Sequence, residues 1–335
     1  MLEQLQRRSA LEPDNQTLQL NVVAAMAREG RSSELVAPLM DRETWNKAGE
    51  YAQGLAAIEV GRRLGSDWEL SVLRVWSCGV KLRDARLKPH PLTISHRLAT
   101  YTHKPTGIEF NLLPGFDWVQ WVGGSRRVVE GKIEPFLIAR GPVTNDQAWH
   151  THPRNGLGED GMYDTDAAKG PLPAVGASFD EVKEYSEHNG FSLPSPAQWG
   201  YACKAGSETR FYFGDEFDPS PVWYAGNSGS RSLCFGTEQF NKCLENGDAG
   251  QWGCERHFES PTPHATAEHD KAGKWNAFGL VDMIGNVAEM TNKKSKQMGG
   301  SFANTQRQIE QMEYAIVTPM NQVGFRPIKT IDWSE

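Results

Sequence analysis

The sequence lacks any uninterrupted apolar run of the roughly twenty residues that a membrane-spanning helix requires. It contains no C-x-x-C pair, and its five cysteines are an odd number. Residues 1–15 are polar and charged, without the apolar centre of a signal peptide. We therefore expect no membrane partner and a reduced, cytoplasmic protein rather than a disulfide scaffold.

A concentration of basic residues is also missing. The net charge at pH 7 is −7, and the 35 lysines and arginines are scattered along 335 residues. A protein that binds nucleic acid normally presents a basic face to the phosphates. We therefore expect no nucleic-acid partner. The length suits one large domain or two unequal ones, with enough chain for a substantial core.

Residues 1–88 have the apolar periodicity of short amphipathic helices. Asn15 is placed to cap a helix whose apolar residues recur up to Gly30. Two further runs predict helices over 42–65 and 67–80. Several short helices without a catalytic constellation are typical of docking or repeat modules, so we expect a small all-α module here.

The composition changes after this region. Pro89 and Pro91 interrupt the helical pattern, so residues 89–104 are interpreted as a linker. Beyond it helical periodicity mostly disappears, and the whole chain has 33 glycines and 19 prolines. Many turns and short strands are therefore expected, which favours an α+β domain over residues 105–330.

Two helices are nevertheless predicted inside the second region. One begins after Ser178, carries acidic residues in its first turn and stops at Gly190. The other begins after Ser195, where Pro196 occupies the first turn, and continues to Gly206. Serine caps and glycine stops are local signals, so both boundaries can be read from the sequence.

A series of short motifs follows in a fixed order: Pro142-Val143-Thr144-Asn145, Leu193-Pro194-Ser195-Pro196, N-A-F-G-L-V-D-M-I-G-N-V-A-E-M over 276–290, Gly299-Gly300-Ser301-Phe302 and Gly324-Phe325-Arg326-Pro327. Through them, residues 105–330 resemble the formylglycine-generating enzyme (sulfatase-modifying factor) family. The resemblance implies that family's variant of the C-type-lectin-like fold, an α+β architecture, here preceded by the all-α module. Arg326 is interpreted as a structural arginine that binds loop carbonyls or a carboxylate.

The resemblance also exposes a difference at the oxidative centre of the family. Counted from Ser301, the positions of the two copper-binding cysteines hold Asn304 and Ile309. Cuprous ions require soft sulfur ligands, which neither residue supplies. The nearest cysteines in the sequence are Cys234, Cys243 and Cys254, and they do not have the spacing of a metal site. We therefore expect no copper and no formylglycine generation.

Two structural calcium sites are implied by the resemblance. The first combines carboxylates and backbone carbonyls, oxygen ligands that suit calcium, from Asp282, Gly285, Val287 and Glu289. The alternative is that Asp282 caps a turn and Glu289 pairs with a basic residue. The second site would include Asn227 and Ser228, with its other ligands in residues 230–262, which do not align with the family.

The histidines do not form a metal motif in the sequence. Sulfoxide synthases of the same fold bind iron through an H-x3-H-x-E motif in a longer N-terminal domain, and that motif is absent here. Proline-rich surroundings and the lack of an acidic partner pattern indicate surface or linker residues for His90, His96, His103, His257, His264 and His269. A rebuilt iron site that uses these histidines with Ser301 and Glu289 is the alternative.

The stretch between Glu289 and Gly324 is rich in long polar side chains. In the lectin-like fold it forms an exposed binding face, so the predicted ligand-binding residues are Ser301, Asn304, Gln306, Gln308 and Glu310. An ordinary solvated surface is the alternative.

Taken with the missing cysteines, this face favours a non-catalytic recognition protein that binds a protein partner or another ligand. The alternatives are a metal-dependent oxidoreductase of the non-haem iron oxygenase type and a structural component of a larger assembly. The sequence does not indicate the oligomeric state.

Overall fold

The computed structural model describes residues 2–12, 15–70, 74–83, 89–122, 127–149, 170–207, 209–228, 263–272, 274–310 and 320–334. Its N-terminal helices are α1 Leu2–Leu11, α2 Gln16–Arg28, α3 Ser32–Val36, a 3-10 helix Ala37–Met40, α4 Arg42–Lys47 and α5 Glu50–Leu64. The later helices are α6 Asn145–Trp149, α7 Phe179–His188, α8 Pro196–Lys204, α9 Thr266–Lys271, α10 Gln306–Glu310 and a 3-10 helix Met320–Gln322.

The predicted capping residues are confirmed. The Asn15 side chain accepts a hydrogen bond from the backbone N–H of Leu18, which starts α2. Ser178 forms a capping box with Glu181 at the start of α7, and Ser195 forms one with Gln198 at the start of α8. The helix expected over 42–65 is divided into α4 and α5, because the backbone turns to an extended conformation at the C-cap of α4.

The prediction of a helix over residues 67–80 is wrong. These residues instead contain β1 Trp68–Leu70 and the start of β2 Arg74–Arg83. A short apolar run satisfies the periods of a helix and of a strand almost equally well. Strand pairing decides here, because β1 lies antiparallel to β4, with Trp68 opposite His103.

The predicted linker 89–104 is also made of strands. The remaining strands are β3 Pro89–Leu98, β4 Thr100–His103, β5 Ile108–Leu113, β6 Phe116–Val122, β7 Arg127–Ile133, β8 Phe136–Ala139, β9 Ala288–Met290, β10 Gln297–Met298, β11 Val323–Phe325 and β12 Ile328–Thr330. An antiparallel five-stranded sheet has the order β1-β4-β5-β8-β12. A small sheet has the order β10-β9-β11, and β2–β3 and β6–β7 form two further antiparallel pairs. The α+β prediction is therefore confirmed.

The N-terminal helices share a hydrophobic core with the five-stranded sheet. Val60 of α5 packs in the same cluster as Tyr101 of β4 and Phe110 of β5. The Tyr101 hydroxyl donates a hydrogen bond of 2.6 Å to the backbone carbonyl of Ala57, which ties β4 to α5. A second core cluster contains Trp199 of α8 together with residues of the 276–290 motif. In the part of the chain described, no helix has the length and apolarity needed to cross a membrane.

Candidate functional site

A buried ion pair joins the two C-terminal motifs. Strand β11 lies parallel to β9 with Gly324 opposite Glu289, which brings Arg326 beside that carboxylate. Arg326 Nη2 donates to Glu289 Oε1 at 2.7 Å, and both side chains are completely buried. Trp199 Nε1 donates to Glu289 Oε2 at 2.7 Å. The interpretation of Arg326 as a structural arginine agrees with these contacts.

The same guanidinium binds the backbone around the predicted calcium site. Arg326 donates to the carbonyls of Val281 and Asp282 at 2.7 and 3.3 Å, and to those of Ala139 and Arg140 at 3.0 and 2.7 Å. The positive charge of Arg326 therefore already lies between the backbone of Asp282 and the side-chain carboxylate of Glu289. This arrangement matches the alternative in which the glutamate pairs with a basic residue, and calcium binding there stays a prediction.

Gly285 and Val287 complete the four residues of that predicted site. Gly285 has a φ of +79°, and a Cβ at this position would lie 2.5 Å from the backbone oxygen of Trp223. Only glycine therefore fits this turn. Val287 is fully buried and packs against Gly324. Both residues hold the 276–290 loop against its neighbours.

The structure brings His264, His269 and Asp282 together. His269 Nδ1 lies 2.6 Å and His264 Nε2 lies 3.3 Å from the same oxygen, Asp282 Oδ1. All three residues are buried, and the two imidazole rings have centroids 3.9 Å apart. The interpretation of these two histidines as surface residues is therefore wrong. Their acidic partner lies 13 and 18 residues further along the chain, a separation that no local motif reveals.

Asn286 connects the carboxylate with the histidine segment. Its Nδ2 donates to Asp282 Oδ2 at 2.8 Å, and its Oδ1 accepts from the backbone N–H of His264 at 3.1 Å. Burial by itself raises the pKa of the Asp282 carboxyl, but hydrogen bonds from the two histidines outweigh it and hold that pKa below its ordinary value. The carboxylate is therefore ionised at neutral pH.

Asn304 and Ile309, the residues predicted to stand at the copper-binding positions of the family, both contact the rest of the domain. Asn304 Oδ1 accepts from the backbone N–H of Ser301 at 2.6 Å and from its hydroxyl at 3.1 Å. Ile309 is fully buried. A Cβ on Gly300 would lie 3.3 Å from Asn304 Oδ1 and 3.4 Å from Ile309 Cγ1, so both side chains converge on this glycine. The Ser301 hydroxyl also donates to Gln322 Oε1 at 2.8 Å.

Two of the predicted ligand-binding residues are buried, and ligand binding by them stays a prediction. Ser301 and Asn304 are 0% and 6% exposed, so they support the loop instead of pointing to solvent. Gln306, Arg307 and Gln308 of α10 are exposed.

Contacts at both ends of α10 hold it in place. Gln308 Oε1 accepts from the backbone N–H of Thr305 at 2.8 Å, which caps the helix. Glu310 accepts from Gln306 Nε2 at 2.7 Å and, through its backbone carbonyl, from Arg210 at 2.7 Å. Ligand binding by the predicted residues of this helix stays a prediction.

The side chains of the second predicted calcium site stabilise a turn. Asn227 Oδ1 accepts from the backbone N–H of Tyr224 at 2.9 Å, and its Nδ2 donates to the carbonyl of Val222 at 2.8 Å. The Ser228 hydroxyl donates to the carbonyl of Phe302 at 2.9 Å. The rest of that site, within 230–262, lies outside the described residues, as do Cys234, Cys243, Cys254 and His257.

The prediction of a surface or linker position for His103 is also wrong. His103 is 4% exposed, and its ring contacts Trp68 and Phe191 while Nδ1 lies 2.9 Å from the Thr106 hydroxyl. It is a core residue of β4 instead of a linker histidine. The side chains of His90 and His96 are outside the described part of the structure.

Comparison with known proteins agrees with this architecture. Residues 126–331 match the family of sulfatase-modifying factor enzyme 1-like domains. Because the match covers more than half of the chain, this protein belongs to that family and has its C-type-lectin-like fold. The resemblance found in the motifs is thereby confirmed.

Two curated relatives match part of the chain. Uncharacterized protein YfmG of Bacillus subtilis is 25% identical over 182 residues, which are 49% of this chain and 35% of that protein. The formylglycine-generating enzyme of Mycobacterium tuberculosis is 29% identical over 119 residues, 36% of this chain and 32% of that enzyme. The matches thus span about a third of each relative.

Among solved structures, variable protein 1 of Treponema denticola is similar with 16% identity and a TM-score of 0.43. The similarity covers 69% of this chain and 98% of that one.

Proposed function

We propose that this protein is a non-catalytic recognition protein whose sulfatase-modifying-factor-like domain binds a protein partner through the outer surface of α10. The observation that carries the proposal is the set of contacts that Asn304 and Ile309 make. One is hydrogen-bonded to the backbone of its own loop and the other is buried in the core, and neither has a thiol. The loop that would hold copper in a family enzyme serves here to position α10.

The shape of α10 supports a contact surface. Ile309 packs in the core and anchors the inner side of the helix, and Arg210 binds the last carbonyl of the helix, that of Glu310. The three consecutive residues Gln306, Arg307 and Gln308 of this anchored helix are exposed. Long polar side chains on a fixed backbone present hydrogen-bonding groups with little loss of backbone entropy on binding. The expected partner surface is polar, with an acidic group opposite Arg307.

A photo-crosslinking experiment tests this surface. We would place benzoylphenylalanine at Gln306 in the full chain, and at Lys183 of α7 as the matched control. Lys183 is exposed and lies on a different helix. The proposal expects a discrete cross-linked partner from position 306, lost when Arg307→Glu is added, and none from position 183. Equal cross-linking from both positions, or none from 306 in cells that express the protein, contradicts it.

A metal-dependent oxidoreductase is the second candidate function, favoured by one observation. The cluster of His264, His269 and Asp282 provides imidazole and carboxylate ligands within a buried part of the family domain. Redox activity requires a redox metal at this cluster, so elemental analysis of protein purified without chelator separates the two functions. About one iron per chain would favour the oxidoreductase.

The cytoplasmic location inferred from the cysteines stays a prediction.

A further inference from the structure

We propose that His264, His269 and Asp282 form a binding site for one divalent first-row transition metal ion. The site is separate from the surface of α10. It also differs from the calcium site expected from the resemblance, because two of its three ligands are imidazole nitrogens. Zinc and iron accept such ligands readily, whereas calcium prefers six to eight oxygen atoms.

The ligand atoms are already close to the arrangement that a metal requires. One ligand atom from each of the three residues lies within 4.8 Å of the other two. Two ligands of a tetrahedral zinc ion, each about 2.0 Å from the metal, are separated by about 3.3 Å. His264 Nε2 and Asp282 Oδ1 are 3.3 Å apart, and His269 Nδ1 is 2.6 Å from the same oxygen. Metal binding therefore requires His269 Nδ1 to move away from this oxygen, whereas the spacing of His264 already suits an ion.

Burial and charge favour a cation at this point. The Asp282 side chain is completely inaccessible and the histidine side chains are only 6% and 7% exposed. A carboxylate enclosed in a poorly solvated interior favours a nearby positive charge. A divalent ion supplies positive charge beside the carboxylate and replaces hydrogen bonds with stronger metal–ligand bonds.

Outer-sphere contacts hold the carboxylate in the required orientation. Asn286 Nδ2 binds Asp282 Oδ2, the oxygen that does not face the histidines. Asp282 and Asn286 have φ values of 54° and 61°, a backbone conformation that residues with a side chain adopt infrequently. Metal ligands are characteristically oriented by such second partners, whose removal weakens metal binding.

The three side chains also satisfy one another without a metal. In that state His264 and His269 each donate a proton to Asp282 Oδ1 and the cluster is purely structural. The two states differ in a measurable way, because only a metal site binds cobalt or zinc at a stoichiometry of one ion per chain.

Cobalt binding tests the proposal in the full chain, purified without a histidine tag and stripped by dialysis against a chelator. We expect one Co²⁺ per chain with the visible absorption of a histidine-ligated ion, displaced by Zn²⁺. His264→Gln and His269→Gln should each weaken binding by at least tenfold, and Asn286→Ala by roughly tenfold. His103→Gln is the matched control, a buried histidine outside the cluster, and should bind as the wild type does.

A measurement on the wild type covers the case in which the glutamine variants do not fold. X-ray absorption spectroscopy identifies the ligands of a bound zinc ion directly and needs no variant. The wild type loaded with one Zn²⁺ per chain should show two imidazole ligands together with oxygen ligands. The proposal is overturned if the wild type binds no cobalt, if the folded glutamine variants bind it with wild-type affinity, or if the zinc spectrum shows no imidazole ligand.

Failure of this proposal and failure of the recognition proposal are distinguishable. Metal binding is read from the cobalt and zinc spectra, whereas partner binding is read from cross-linking at Gln306.

Discussion

Arg326 and Glu289 form an ion pair in which neither side chain is accessible to solvent, with Nη2 and Oε1 2.7 Å apart. The pair connects the end of β11 with β9, two strands that lie parallel. The arginine also binds four backbone carbonyls, so one side chain connects β9 with the end of β8 and with residues 281–282.

Replacing Glu289 by glutamine should therefore destabilise the protein strongly. Removing one partner of a buried pair leaves an uncompensated charge, which costs about 3–5 kcal/mol. Urea denaturation should show this loss equally with calcium and with chelator, because Arg326 is the partner that the substitution leaves uncompensated. Glu187→Gln, which alters an exposed pair on α7, is the control and should have little effect. A loss that appears only when calcium is present would instead support the calcium site.

The hydrogen bond from Tyr101 to Ala57 should contribute to the stability of the whole chain. Tyr101→Phe leaves the carbonyl of Ala57 without this donor, so we expect the free energy of unfolding to fall by about 1–2 kcal/mol. Because the N-terminal helices and the five-stranded sheet share one core, we expect a single thermal transition in calorimetry for the wild type and for Tyr101→Phe. Tyr51→Phe is the matched control. The Tyr51 hydroxyl lies 3.5 Å from the carbonyl of Gln6, a long contact whose loss should change the stability less. A separate early transition for the helices would contradict the shared core.

The stability of the protein should depend on pH through His103. Burial lowers the pKa of this imidazole, Lys329 lowers it further and Asp67 opposes the shift. The unfolded chain therefore takes up a proton at higher pH than the folded chain. The contribution to stability is complete above the unfolded pKa of about 6.5 and decreases as the pH falls from that value toward the folded pKa.

We expect the unfolding free energy of the wild type to decrease relative to His103→Gln as the pH is lowered from about 7.5 to about 5.5. Chemical denaturation at several pH values measures this difference, which cancels the titration of all other groups. Parallel curves for the two proteins would show that His103 has the same pKa in both states.

Cys203 should be inert toward thiol reagents in the native protein. Burial raises its pKa to about 12, and the side chain lies in the core cluster around Trp199. At about pH 8 the reactive thiolate is therefore a very small fraction of the thiol. Peptide mass spectrometry after iodoacetamide treatment should find Cys203 unmodified, and modified in a sample unfolded in denaturant. Rapid native labelling would show that this part of the core opens readily.

Local signals account for the elements that the sequence predicted correctly. The serine caps of α7 and α8 and the Asn15 cap of α2 act within four residues, so their boundaries follow from neighbouring side chains. The ordered motifs likewise identified the family over most of its domain. In contrast, Trp68–Leu70 has an apolar pattern compatible with a helix or a strand, and its pairing partner lies on β4.

The sequence by itself determined the family, the α+β class and the absence of sulfur at Asn304 and Ile309, because each depends on residue identity and order. Only the tertiary structure decided that Ser301 is buried and that Glu289 pairs with Arg326, 37 residues away. It alone also placed His264 and His269 against the same carboxylate. Contacts of this kind depend on how distant loops meet in three dimensions, which is set by the packing of the whole core.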